Sequence, residues 1–142
     1  MINIPLEILN LHDDGFHLLV EVVVFNKTFK AVVDTGASRT VLDKTTVEEY
    51  IDKETLLLSD KLSTGLGTNT MASYTLTIPH FIIGDLSIPH FQTAVLDLSS
   101  INEAYGQVYD EPIIGVVGGD ILMNYGAVID YPKKALNFNL CV

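Results

Sequence analysis

Basic residues are scarce in this chain. Eight Lys and Arg stand against eighteen Asp and Glu, for a formal net charge of −10. Nucleic-acid binding rests on clustered cations that neutralise phosphates, so this balance argues against a nucleic-acid partner. The acidic side chains are scattered, which reads as surface solubility rather than recognition of a basic partner. Cysteine is nearly absent: Cys141 is the only one in 142 residues. No internal disulfide can form, and nothing beside Cys141 in sequence points to an activated thiolate. No apolar run approaches the length of about 20 residues that a membrane helix needs. The first residues, Met1-Ile2-Asn3-Ile4-Pro5, lack the basic region and apolar core of a secretory signal, so the expectation is a cytoplasmic protein away from membranes. Spacings of the H-E-x-x-H kind are missing around His12 and His17. Neither a metal site nor a cofactor is expected.

What the chain does have is apolar content, at 48% of residues, and enough length for one domain with a real core. Residues 3–11 and 16–25 read as strands around an Asp13-Asp14-Gly15 turn. Asn26-Lys27 suggests a two-residue hairpin connection into a strand ending at Val33. Thr40-Val41-Leu42 reads as a short strand. Asp43 or Thr45 is placed to cap a short helix, with Thr45 and Glu48 at capping-box spacing and Val47, Tyr50 and Ile51 on one face. Residues 64–70 carry a Gly-rich loop signal, and residues 71–78 alternate as a strand. Gly84-Asp85 punctuates a compact hairpin, 91–98 continues as strand, and 99–112 reads as a polar loop. Ile113 to Val117 is a short buried run broken by Gly118-Gly119, after which Asp120 is expected to cap a helical turn. Residues 127–131 and 135–140 form a closing hairpin. Many short strands and little helix predict an all-β barrel or sandwich. The tetrapeptide Ile-Pro-His-Phe occurs at 78–81 and again at 88–91. Two matching strand flanks explain it better than a pair of cooperating histidines.

One stretch asks for a chemical explanation: Ala31-Val32-Val33-Asp34-Thr35-Gly36-Ala37-Ser38. The β-branched valines favour a buried pleated surface. Gly36 is expected to permit backbone dihedrals that a side chain would forbid. A carboxylate delivered at a strand end is costly to bury without hydrogen-bond donors, and Thr35 and Ser38 are placed to act as such. An ordinary Asp-Gly turn would use the same residues.

Asp34-Thr35-Gly36-Ala37-Ser38 in this apolar setting resembles the active-site motif of the aspartic proteases. Downstream, Val116-Val117-Gly118 followed by Gly119-Asp120-Ile121-Leu122 resembles that family's second signature, two apolar residues and a Gly leading into a short helix. The run from Asn124 to Pro132 is similar to the end of bacterial and cellular retropepsin-like proteins. Gly65-Leu66-Gly67 lies where the family carries its flap. The likeness extends over roughly residues 16–138 in the correct order. It implies a closed β-barrel of the retropepsin-like (acid protease) type with one or two short helices, and a single such domain over 1–142. The implied activity is aspartic endopeptidase chemistry on extended peptide segments with apolar side chains.

That chemistry needs two carboxylates, one to activate water and one to polarise the carbonyl. The chain has a single Asp-Thr-Gly. A homodimer that brings Asp34 of each subunit to a two-fold axis is therefore required. By resemblance, Thr35 locks the two loops together, Gly36 admits the substrate backbone, and Ser38 bonds the outer oxygen of Asp34. Val116, Val117 and Gly118 support the loop from beneath, and Gly65, Leu66 and Gly67 fold over the substrate. Ala37, where the pepsins have a hydroxyl residue, implies activity in weakly acidic to neutral conditions. The C-terminal hairpin is longer than the single closing strand of the viral enzymes, and residues 44–53 and 99–112 lie outside the minimal fold. An inactive dimerisation or peptide-binding domain of the same fold is the alternative reading. A strand followed by Asp-x-Gly also opens the phosphate loop of actin-like ATPases. That fold needs two lobes and further nucleotide motifs that this chain does not contain.

Overall fold

Strand follows strand through most of the chain, and the order in which they pair closes the sheet on itself. The structure is a computed structural model that describes residues 1–11, 15–58 and 73–139. The hairpin β3 (Phe16–Val24) and β4 (Lys27–Val33) begins the barrel, and β5 (Val41–Asp43), β7 (Tyr74–Ile83), β8 (Leu86–Leu96) and β9 (Ile113–Val117) complete it. Their order is β3-β4-β9-β5-β8-β7, and pairing of Val23 with Ile82 joins β7 back to β3. The result is the expected closed barrel, of six strands. β2 (Glu7–Asn10) and β6 (Leu57–Leu58) extend its margins. A separate sheet, in the order β1-β11-β10, is made by β1 (Ile2–Pro5), β10 (Ala127–Asp130) and β11 (Ala135–Phe138). The segment read as one strand over 3–11 is thus two, parted at buried Leu6 and serving different sheets.

The β3–β4 connection sits one residue earlier than expected. Val24 pairs with Lys27, so Phe25 and Asn26 form the turn, both with positive φ (55° and 60°). Paired positive φ values match the twist of the flanking strands, but an aromatic residue is an unusual choice there. Phe25 offsets that by stacking on Tyr50, rings 5.3 Å apart and 7° from parallel. The turn at Gly84-Asp85 is where the sequence places it. Around it β7 and β8 run unbroken through Pro79 and Pro89, pairing Ile78 with Phe91 and Phe81 with Ile88. The repeated tetrapeptide is therefore one hairpin's two flanks, and His80 and His90 are exposed on it.

Among the described residues, three short α-helices and a single 3-10 turn (Lys53–Thr55) decorate the barrel. α1 (Lys44–Glu48) is capped by Asp43, whose carboxylate accepts from Thr46 N, so the Thr45–Glu48 capping box is not used. α2 (Ser99–Gly106) occupies part of the stretch read as a loop, and α3 (Gly119–Asn124) follows β9. α2 explains why β3 stays apolar at Leu19, on the face away from the barrel interior. Leu18, Val20, Val22 and Val24 point into the main core, which fills the barrel with Phe81, Ile83, Ile114 and others. Leu19 points the opposite way, into a second cluster with Val32, Tyr105 and Ile113 under α2. Strands covered on both faces lose the in–out alternation that marks a half-exposed sheet.

Candidate active site

Asp34 stands where β4 runs out. The strand lies parallel to β9, pairing Val32 with Val116 and Val33 with Val117, and one further bond, Asp34 N to Val117 O at 3.0 Å, carries the ladder past the strand's end. The chain then turns back, with Ala37 N donating to Asp34 O at 3.2 Å. Both valines are buried while the aspartate and Thr35 are exposed. The Asp34 carboxylate accepts from Gly36 N at 3.0 Å. This amide fills the part expected of the Ser38 hydroxyl, which makes no such bond in the single chain. Gly36 does not use a left-handed backbone; among the described residues the glycines that do are Gly15, Gly84 and Gly126. What limits a side chain at Gly36 is proximity, since a Cβ there would sit 3.3 Å from Asp34 Oδ1.

Beneath this exposed turn the backbone is held tightly. Thr40, fully buried, donates from N to both oxygens of Asp120 at 3.0 Å and from Oγ1 to Oδ1 at 2.7 Å. The same Oγ1 accepts from Gly118 N at 3.1 Å, and Gly119 N donates to Ala37 O at 2.7 Å. Gly118 must be small. A Cβ there would lie 2.6 Å from the carbonyl carbon and oxygen of Arg39. Val117 is fully buried and Val116 half-buried under the loop. The structure thus brings Val116, Val117 and Gly118 against the Asp34 turn.

Asp120 lies inside the first turn of α3 rather than at its N-cap; its Oδ1 accepts from Ile121 N at 2.9 Å, as a capping carboxylate would, and it has a second task. Gly118 occupies the N-cap of α3 without a side-chain bond, and the Asp120 carboxylate reaches across to Thr40. Thr40, read only as part of a short strand, and Asp120, read only as a helix cap within the second signature, are the residues whose joint support of the turn the sequence did not show. The closest signal is position, a carboxylate directly after Gly118-Gly119. The flap residues Gly65, Leu66 and Gly67, with His12 and Cys141, lie outside the described residues.

A cleft of ≈ 510 Å³ opens beside the turn, lined by Val32, Val33, Asp34 and Thr35 on one side and by α2 on the other. His17 also lines it, with Nδ1 2.7 Å from Tyr105 Oη and the two rings edge to face. Just beyond α2, Tyr109 Oη donates to Glu7 at 2.8 Å, and Lys30 pairs with Glu7 and Glu21. Partial burial and the Glu7 carboxylate push the Tyr109 hydroxyl well above the ordinary tyrosine value. Among the described residues no three His, Cys, Asp or Glu side chains converge as metal ligands, and no helix is long and apolar enough to cross a membrane.

Several solved structures share this architecture. The retroviral protease-like domain of Ddi1 from Leishmania major superposes with a TM-score of 0.60 at 18% identity, over 86% of this chain and 87% of that one. A retropepsin-like aspartic protease from Rickettsia conorii gives 0.58 at 23% identity, over 98% and 89%. The EIAV protease complexed with the inhibitor HBY-793 gives 0.57 at 17% identity, over 79% and 90%. At such identities these likenesses speak for the fold. No curated protein matches. A family model for aspartyl proteases matches residues 20–121, from within β3 to the first turn of α3, and so includes both Asp34-Thr35-Gly36 and Val116-Val117-Gly118. The chain belongs to the aspartyl protease family.

Proposed function

We propose that two copies of this chain form a peptide-cleaving aspartic endopeptidase, with the two Asp34 carboxylates meeting at a two-fold axis. The observation that carries this reading is the contrast at the end of β4. An exposed carboxylate stands at the rim of an apolar cleft, on a turn whose underside is fixed by the bonds among Thr40, Asp120, Gly118 and Ala37. Such pre-set geometry suits chemistry in which small displacements of the reacting groups are costly.

Two carboxylates in contact cannot both ionise easily, so the pair holds one proton and titrates as a unit. The ionised member takes a proton from the attacking water while the protonated member donates to the scissile carbonyl oxygen. Collapse of the resulting tetrahedral species returns a proton to the departing amine. Thr35, exposed beside Asp34, would tie the two turns together, and residues 65–67 would cover the bound strand. The edge strand β10 supports the dimer. Val128 on it is 52% exposed, with Met123 and Tyr131 similarly bare nearby, and an apolar sheet edge calls for a partner.

The test combines solution mass with cleavage of a peptide library by wild type and Asp34→Asn. A dimer that cleaves, and an Asp34→Asn dimer that binds peptide but does not cleave, is the expected result. A strictly monomeric wild type without cleavage would overturn the reading. A dimer that binds peptides and never cleaves would establish the inactive binding domain instead.

A further inference from the structure

α2 is the element that neither catalytic signature accounts for, and it is built to stay in one place. Its entry is fixed by Leu98 N donating to Asp43 Oδ1 at 2.9 Å, in a buried position. Within it, Asn102 Oδ1 accepts from Ile113 N at 2.9 Å, and Tyr105 bonds His17 on β3. Tyr105 is buried in the cluster with Leu19, Val32 and Ile113. Val32 lies two residues before Asp34, so the helix packs directly on the strand that delivers the carboxylate. Ser100, Ile101, Ala104 and Tyr105 fall on one helical face, as positions one turn apart must. All four line the cleft that Asp34 and Thr35 line from the other side. Asp34 is the one carboxylate on the described walls, and no Lys or Arg lies there.

From this placement we infer that α2 is the specificity wall of the site, with Ile101, Ala104 and Tyr105 receiving an apolar substrate side chain next to the scissile bond. The inference rests on the reading of Asp34 as the point where the peptide bond is held. Apart from Asp34 and the Tyr105-bonded His17, the described cleft lining offers a charged side chain no ionisable partner of Lys, Arg or carboxylate type. An apolar one would be desolvated against Val32, Ile101 and the Tyr105 ring. Ala104 is exposed and Ile101 half-buried, so the wall can be reshaped without opening the core.

The experiment profiles side-chain preference with a peptide library carrying Gly, Ala, Leu, Phe, Lys or Asp at each position. Wild type, Ala104→Phe and Ile101→Ala are compared by cleavage. The same substitutions in an Asp34→Asn background are compared by peptide binding. Filling the pocket in Ala104→Phe is expected to lower the Phe-over-Ala preference about tenfold or more, and enlarging it in Ile101→Ala to raise it, as pocket volume sets apolar selectivity. If wild type does not cleave but binding preference shifts this way, the endopeptidase reading fails and the wall stands. If neither substitution shifts preference in cleavage or binding, or if no library peptide is cut or bound, the wall is overturned. Thermal unfolding of both variants confirms that folded protein is being compared.

Discussion

Thr40 and Asp120, eighty residues apart in sequence, are joined by three contacts: the Thr40 amide to both carboxylate oxygens at 3.0 Å, and its hydroxyl to Oδ1 at 2.7 Å. Because that hydroxyl also accepts from Gly118 N, the pair links the Asp34 turn to the start of α3. Asp120→Ala would leave a fully buried amide and hydroxyl without their acceptor. The expected loss is about 2–4 kcal/mol, or roughly 5–15 °C in Tm for a domain of this size. Asp120→Asn keeps one oxygen acceptor and should lose less. Urea unfolding measures the difference. Equal stability of wild type and Asp120→Ala would show that the link does not hold the turn.

Gly118 allows a sharper comparison. A methyl group there meets the Arg39 carbonyl at 2.6 Å and Ala37 O at 2.8 Å, all backbone that cannot step aside cheaply. Gly118→Ala should cost about 3 kcal/mol or more by overpacking. Gly106, the last residue of α2, has nothing within 4 Å of the same added atom. Gly106→Ala should therefore be neutral or stabilising by about 0.5–1 kcal/mol, since alanine has less unfolded freedom to lose. Denaturation midpoints of the two variants check both signs.

The barrel and the Asp34 turn were legible because local signals agree there: β-branched runs, the Gly84-Asp85 turn and the two family signatures. α2 was not. Ser99, Ser100, Asn102, Glu103 and Gly106 make its stretch polar, and its apolar contacts reduce to Ile101 and Tyr105, too short a period to stand out. Its place is decided by Leu19 and Val32, which are far away in the chain. Asp120 illustrates the same limit. Its neighbours suggest a helix cap, and it does accept from Ile121 N, but the partner that takes both of its oxygens, Thr40, lies eighty residues away. Pro79 and Pro89 sit exposed on a hairpin that continues through them, as the reading of the repeated tetrapeptide as two strand flanks requires.

Acid should loosen α2 before it unfolds the barrel. Asp97 accepts from Ser99 N at 2.9 Å at the start of the helix, and that bond, with the Ser99 hydroxyl and then Lys44, holds its carboxyl below the ordinary aspartate value. A group whose folded pKa is depressed stabilises the fold above its unfolded pKa, and that contribution is lost as pH falls through the folded one. Amide-exchange protection in α2, corrected for intrinsic rate, should therefore drop in wild type on acidification. Asp97→Asn should start lower and change less over the same range. Parallel curves for the two proteins would show that Asp97 has no part in it.

The pH dependence of catalysis follows from Ala37. Its backbone is engaged at both ends, the amide with Asp34 O and the carbonyl with Gly119 N, but its side chain carries no hydroxyl to donate. An extra donor near a carboxylate favours its ionised form, so a hydroxyl added at this position is the change that should move the pH dependence. For the proposed dimer, kcat/KM should peak in the weakly acidic to neutral range. Ala37→Thr should displace the acidic limb downward by about 0.5–1 pH unit if its hydroxyl reaches the carboxylates. The measurement is a pH–rate profile of both proteins on one cleaved peptide, with folding checked at each pH. A wild-type maximum confined below about pH 3.9, the ordinary aspartate value, would contradict it.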